Sequence, residues 1–330
     1  MRYARYARYA LGLLALSVAA GVGHAQQSSW SPEKNVEFVV GAAAGGANDR
    51  IGRAVQNALT VNRLIPTSMS VVNRPGGGQT IAMSYLNSHA GDAHYLALAS
   101  SSWLTTLAGG RGTVTHRDVT PIARLFTEYQ VYYVKADSPI RGMADVRDRL
   151  KKDPASVTFG FSVAPGSPLH ISIADVAASV GLHPKQAKTV VFDSGTKAAA
   201  AVAGGHLDVG LSSPGSPMSM VQGGRLRYIG VAGPQRIPGP LAEVPTLREQ
   251  GLDVLTPVSF VVLAAKGITV EQASYWDAAL GKMMQTAEIR KDIERNLWIV
   301  DRMGHRELPE SLESQFQRYR QRLTEMGLVK

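Results

Sequence analysis

The sequence predicts an α/β protein with two lobes facing a cleft, and three observations carry that reading. Strand-like apolar runs alternate with helix-like runs, the pattern of sheets covered by helices. Several strand runs end in loops of small residues that lead into a helix start. The chain has 330 residues, 45% hydrophobic and 18% charged, so it can bury two cores and is too apolar for a disordered protein. Alternation of this kind favours mostly parallel sheets.

The elements follow in order. Residues 35–40 (NVEFVV) read as a buried strand and 49–59 as a helix. A short strand at 70–73 stops at Arg74-Pro75-Gly76-Gly77-Gly78, a tight turn before a helix at 80–88. Residues 95–99 form a strand that ends in Ser100-Ser101-Ser102, and 122–134 hold a longer β-rich run. A strand at 157–161 leads through a Pro/Gly loop to a helix near 169–180. Residues 189–192 are a strand and 196–203 an Ala-rich helix, with further strands at 207–211, 226–231 and 258–264. From about 270 onward the chain reads as helical, with Leu312, Phe316, Tyr319 and Leu323 on one helix face.

The first 25 residues read as an address label. Arg2, Arg5 and Arg8 precede an apolar run at 10–22, and Gly23-His24-Ala25 forms a small-x-small site, the three parts of a secretory signal peptide. The apolar run is shorter than the roughly 20 residues a spanning helix needs. Cleavage after Ala25 removes three arginines and no acid, leaving 32 basic against 26 acidic residues, a balance of +6. The expected mature protein is exported, soluble and periplasmic. Its mild charge is scattered and often beside acids, which excludes a nucleic-acid interface but suits attraction of small anions. With no cysteine there is no disulfide, thiolate zinc site, Fe–S cluster or cysteine nucleophile.

The loops carry the candidate chemistry. Gly41 to Asp49 joins the first strand to a helix, and Ala44, Gly45, Gly46 and Ala47 let backbone amides approach a ligand. The helix start adds partial positive charge, so the loop suits a carboxylate or phosphate. It fits neither GxxxxGK[ST] nor GxGxxG, so a nucleotide role is unsupported. Asp49 reads as a helix cap or a ligand contact. Ser100, Ser101 and Ser102 offer hydroxyls and amides, or helix capping. Residues 160–164 half-resemble a G-x-S-x-G elbow, but Ala164 and Pro165 break it, leaving a polar binding loop from Ser162 through Gly166 and Ser167 to His170. Asp193, Ser194, Gly195 and Thr196 form a strand end, turn and helix start with the same anion-friendly geometry. His89, Asp92 and His94 match no usual zinc spacing, and paired carboxylates are absent from the pocket segments. No metal, cofactor or catalytic residue is expected.

Taken together these loops resemble the periplasmic substrate-binding proteins of tripartite tricarboxylate transporters, the Bug family, over nearly the whole mature chain. The matching pieces are Gly45-Gly46-Ala47-Asn48-Asp49 with Arg53, Val72-Asn73-Arg74-Pro75-Gly76-Gly77, and the run Ser162…Gly166…His170. They continue with Gly204-Gly205-His206-Leu207-Asp208-Val209, Gly224-Arg225-Leu226-Arg227 and Val244-Pro245-Thr246-Leu247-Arg248-Glu249-Gln250-Gly251. Phe192-Asp193-Ser194-Gly195 and Ala265-Lys266-Gly267-Ile268-Thr269 are similar to the tricarboxylate-binding branch.

The resemblance implies a type II periplasmic-binding-protein fold, with two α/β lobes, a cleft between them and crossing hinge strands. By similarity, residues 26–130 and 258–330 form domain I and 131–257 domain II, with hinges near 129–134 and 257–261. The family's pocket loops map onto residues 44–47, 100–102, 162–170 and 193–196. The implied activity is capture of a small di- or tricarboxylate by a monomeric, non-enzymatic binder that closes like a Venus flytrap and delivers it to a membrane permease. An extracytoplasmic sensor for a membrane kinase and a two-lobed α/β enzyme are the alternatives. Three positions depart from the family pattern: Gly41 stands where Pro is usual, Ala164 where Gly is common, and Ser259 where an aromatic is frequent.

Overall fold

The computed structural model describes residues 30–329; the expected signal peptide lies outside them. The chain begins with β1 (Val36–Val40), α1 (Ala47–Val61), β2 (Met69–Asn73), α2 (Thr80–Asn87), β3 (Tyr95–Ser100) and α3 (Ser101–Ala108). The strand β4 (Val119–Tyr129) then passes through the single residue Gln130 into β5 (Val131–Lys135). Next come α4 (Met143–Lys152), β6 (Thr158–Ser162), α5 (Pro168–Ser179), β7 (Lys188–Phe192), α6 (Gly195–Ala203), β8 (Val209–Ser212), α7 (Met218–Gln222) and β9 (Leu226–Val231). The chain closes with β10 (Pro257–Ala265), α8 (Val270–Met283), α9 (Ala287–Asn296), β11 (Ile299–Met303) and α10 (Leu308–Glu325).

Two sheets result, a six-stranded one in the order β11-β4-β10-β3-β1-β2 and a five-stranded one in the order β7-β6-β8-β5-β9. They are mixed rather than mostly parallel. The pairs β1–β2, β1–β3, β6–β7 and β6–β8 are parallel, while β10 runs antiparallel to both β3 and β4, and β5 antiparallel to both β8 and β9. The reason is the crossing chain: β4 and β10 carry it between the sheets in opposite directions, so each sheet receives strands that the strand–helix alternation does not describe. The C-terminal part is likewise not all helical. β11 pairs with β4 as an edge strand, and its residues are half-buried to exposed, which hides it from a periodicity reading.

Both faces of the six-stranded sheet are apolar, and the period-two alternation sorts them. Phe38, Leu96, Leu98 and Val262 point to the core under α1, α8 and α9. Val39, Ala97, Ala99 and Leu263 point to the opposite core under α2, α3 and α10. In the second sheet Tyr132 and Phe159 pack with α4 and α5, and Val131 and Tyr133 with α6. α5 faces two ways. Its Leu169, Ile173 and Val176 pack on its own sheet, while Ile171 and Ala174 join the core that contains α10. The crossing segments are tied together as well: Ala232 N–H donates to Gln130 O, and Thr256 N–H donates to Ala232 O.

Candidate functional site

The loop after β1 is held by a buried carboxylate. Asp49, 1% exposed, accepts from Gly45 N (2.8 Å), Asn73 Nδ2 (2.8 Å) and Arg53 Nε (3.0 Å). Burial alone raises its pKa, but the hydrogen bonds from Arg53, Gly45 and Asn73 outweigh that and hold the carboxyl at about 2. Asp49 is therefore an ionised anchor that fixes Gly45 at φ +80°, rather than a group offered to a ligand. Gly46 occupies the N-cap of α1 without a side-chain cap, so the first amides of the helix have no intrahelical acceptor. Ala44, Gly45 and Ala47 are exposed around that end.

Gly41 has a reason in the structure. A Cβ there meets Gln79 Cγ at 2.7 Å, so the small residue makes room for the Gln79 side chain. Gln79 in turn brackets Ser100: its Nε2 donates to Ser100 Oγ (2.6 Å) and its Oε1 accepts from Ser100 N (3.0 Å). Ser101 Oγ accepts from Ser259 N (2.9 Å), and Ser259 Oγ lies 3.3 Å from Thr127 Oγ1. Ser100 and Ser101 are thus buried and committed to internal bonds, whereas Ser102 stays half-buried at the start of α3.

Ser102 lines a cavity of about 290 Å³ between elements of the two sheets. One wall is Gly77, Gly78 and Thr80 with Ser102, Thr105, Thr106 and Arg111; the other is the segment Val163, Ala164, Pro165, Gly166 and Ser167. Arg111 is its one basic side chain, and among the described residues it has no ion-pair partner. The Gly166 loop reaches across: a Cβ on Gly166 lies 3.2 Å from Leu323 Cδ2 and 3.9 Å from Arg111 Nη2. Val163 sits at φ +86°, a conformation unfavourable for a β-branched residue, with its side chain exposed. Ser167 is the N-cap of α5, 5% exposed, and its Oγ has no hydrogen-bond partner among the described residues.

His170 supports this wall from behind. Its Nδ1 accepts from Gly166 N (3.0 Å) and its ring stacks on Phe161 at 4.9 Å. Burial holds the imidazole below its ordinary range, which keeps the accepting nitrogen unprotonated. Ser162 is buried at the end of β6. Asp193, Ser194, Gly195 and Thr196 do not line the cavity. Asp193 is exposed and pairs with Lys197 (2.5 Å), and Ser194 Oγ accepts from Lys197 N as the cap of α6. Gly195 abuts the loop after β8, where a Cβ would meet Ser216 Oγ at 2.5 Å.

The sequence reading missed Gln79, Arg111 and the Gly77–Gly78 contribution. Arg111 sits between Gly110 (φ +79°) and Gly112 (φ +101°), and a lone cation framed by glycines was the signal available. In this arrangement one cation, one unpaired hydroxyl and the starts of α3 and α5, neither with a side-chain cap, converge from different segments, whereas Ala44 to Ala47 do not line the cavity. That set can hydrogen-bond and neutralise a carboxylate. Among the described residues no group of three metal-type ligands occurs.

Comparison with known proteins agrees with this picture. The family described as "Tripartite tricarboxylate transporter family receptor" matches residues 51–328. The chain is similar to the structure of a TctC solute-binding protein from Polaromonas, with a TM-score of 0.75 and 24% identity, covering 89% of this chain and 99% of that one. It is also similar to two Rhodopseudomonas palustris structures. One is MatC with bound malate, with a TM-score of 0.72 and 18% identity over 88% and 99% of the two chains. The other is a protein with adipate, with a TM-score of 0.74 and 19% identity over 90% and 98%. At these identities the structural likeness is one of fold.

Proposed function

The chain belongs to the tripartite tricarboxylate transporter family of receptors, and we propose that it is a periplasmic protein that captures a small di- or tricarboxylate and passes it to a membrane permease. The family is one of binding proteins, not of enzymes. The observation that carries the choice of ligand is the cavity between the Gly77–Arg111 wall and the Val163–Ser167 wall, where among the described residues Arg111 has no ion-pair partner and the buried Ser167 hydroxyl has no hydrogen-bond partner. The malate and adipate held by two proteins of the same fold support the same chemical class.

In this reading residues 26–130 with 258–330 form one lobe and 131–257 the other. The carboxylate enters the open cleft. Arg111, Ser102 and the amides at Ala44 to Ala47 take one side, and Ala164, Gly166 and Ser167 the other, with Ser162, His170 and Asp193 to Thr196 behind or beside them. Ser100 and Ser101 hold the floor through Gln79 and Ser259. Contacts from both lobes to one anion stabilise the closed form. Calorimetric titration of residues 26–330 with malate and adipate tests this. Binding of either, weakened tenfold or more by Arg111→Gln and severalfold by Ser167→Ala, is expected. Equal affinity in wild type and Arg111→Gln would remove the site from this cavity.

A further inference from the structure

One link between the two halves of the molecule lies outside the carboxylate cavity. α5 packs on the five-stranded sheet and α10 on the six-stranded sheet, and the two helices meet along a seam. Ile171 and Ala174 of α5 share a core there with Leu312, Tyr319 and Leu323 of α10. Across the seam Arg322 Nε stands 2.6 Å from Asp175 Oδ1, with the two side chains 26% and 24% exposed. Among the described residues this is the one ion pair that joins residues 131–257 to the rest of the chain.

Two features set this pair apart from an ordinary surface contact. Burial pushes the Asp175 carboxyl up, and the charges of Arg322 and Arg318 oppose that, so the carboxylate depends on guanidiniums supplied by the other half. Arg322 has a second acceptor on its own helix, because its Nη1 donates to Glu325 Oε2 at 2.5 Å. If the seam parts, Asp175 gains water and Arg322 keeps Glu325, so the guanidinium has a partner in either arrangement. The negative charge of Glu325 also acts against that of Asp175. The seam ends at the cavity. Leu323, next to Arg322, is the side chain that a Cβ on Gly166 would meet at 3.2 Å, and Gly166 belongs to the wall facing Arg111.

We propose that Asp175–Arg322 is a latch between the two halves. It holds the Val163–Ser167 wall towards the Gly77–Arg111 wall, and Glu325 is the partner that takes Arg322 on release. The latch sets how much of the protein stands in the binding-competent arrangement, and apparent affinity scales with that fraction. The proposal rests on the two-lobed reading of the cleft but not on which ligand fills it.

The chain has no cysteine, so spin labels can be placed at will. Asn57→Cys on α1 and Ala200→Cys on α6 are exposed positions, one on each half, and pulsed electron paramagnetic resonance reads the distance between them. Without ligand, Asp175→Asn and Arg322→Gln should each move the distribution to longer separations, and the double variant should go no further than either. Glu325→Gln should act in the opposite sense, keeping or shortening the wild-type distance. In calorimetry with malate and adipate, Asp175→Asn should weaken binding about fivefold, the scale of one partly buried ion pair, although it touches no cavity residue. The proposal is overturned if Asp175→Asn lowers the unfolding midpoint and leaves the distance unchanged, which is what a merely structural pair would do. It is also overturned if Glu325→Gln lengthens the distance as Asp175→Asn does. If neither acid binds wild type, the carboxylate reading fails, and the distances alone decide the latch.

Discussion

Replacing Asp49 by Asn should be costly in a pH-dependent way that can be worked from its surroundings. The carboxylate receives Gly45 N–H, Asn73 Nδ2 and Arg53 Nε, and its pKa is held at about 2, against 3.8 for a free carboxyl. At 1.36 kcal/mol per unit, that difference contributes about 2 kcal/mol at neutral pH. Because the folded-state pKa is depressed, the contribution is complete above about pH 4 and is lost as pH falls towards about 2. Asparagine keeps the shape but offers one oxygen to three donors, adding roughly 1 kcal/mol for a donor left unpaired. Urea unfolding of both proteins should show a gap of about 2–3 kcal/mol at pH 7. The ionic part of that gap should fall to roughly half by pH 3. A gap under about 0.5 kcal/mol, within the range of an ordinary surface substitution, would refute the anchor. So would a gap that is the same at pH 7 and pH 3.

Other outcomes follow from single residues. Gly166→Val forces a β-branched side chain to φ +81° with its Cβ 3.2 Å from Leu323. It should lower unfolding free energy by about 1–2 kcal/mol and weaken carboxylate binding in the same preparation. Trp276 Nε1 donates to Ala93 O at 2.8 Å, whereas the Nε1 of the equally buried Trp103 has no partner among the described residues. Denaturant unfolding should therefore show Trp276→Phe costing about 1 kcal/mol more than Trp103→Phe. His170 accepts from Gly166 N only while neutral, and burial lowers its pKa. Its contribution is full above about pH 6.5 and declines as pH falls through the depressed folded-state value. Wild type should lose stability relative to His170→Phe over that descent, and parallel pH profiles for the two proteins would argue against the bond.

What was legible in the sequence was whatever a local pattern determines. β1, β3 and β10 are dense in Val, Leu and Ala and face cores on both sides, so their apolar runs stand out. α4 was hidden because its charged surface outweighs the three buried positions Met143, Val146 and Leu150. α3 was hidden behind its own serines, which read as a loop although Trp103, Leu104 and Leu107 bury just beyond them. The β-rich run at 122–134 gave no sign that one residue, Gln130, divides it between two sheets, because that division is made by partners distant in sequence. The candidate loops were visible through their small residues and helix starts. Which hydroxyls are spent internally was not. Ser100 and Ser101 look like Ser102 in sequence and differ only because Gln79 and the Ser259 amide reach them in space.

The central claim, capture of a small carboxylate, is tested most directly by a thermal-shift screen of residues 26–330. The panel holds di- and tricarboxylates, with phosphate, sugars and neutral amino acids as controls. Ligand at about 100 times its dissociation constant adds roughly 2.7 kcal/mol, enough to raise the midpoint by several degrees. The account predicts such a rise with one carboxylate class, absent with the controls and reduced in Arg111→Gln. A flat response to every carboxylate, or an equal rise with the controls, would contradict it.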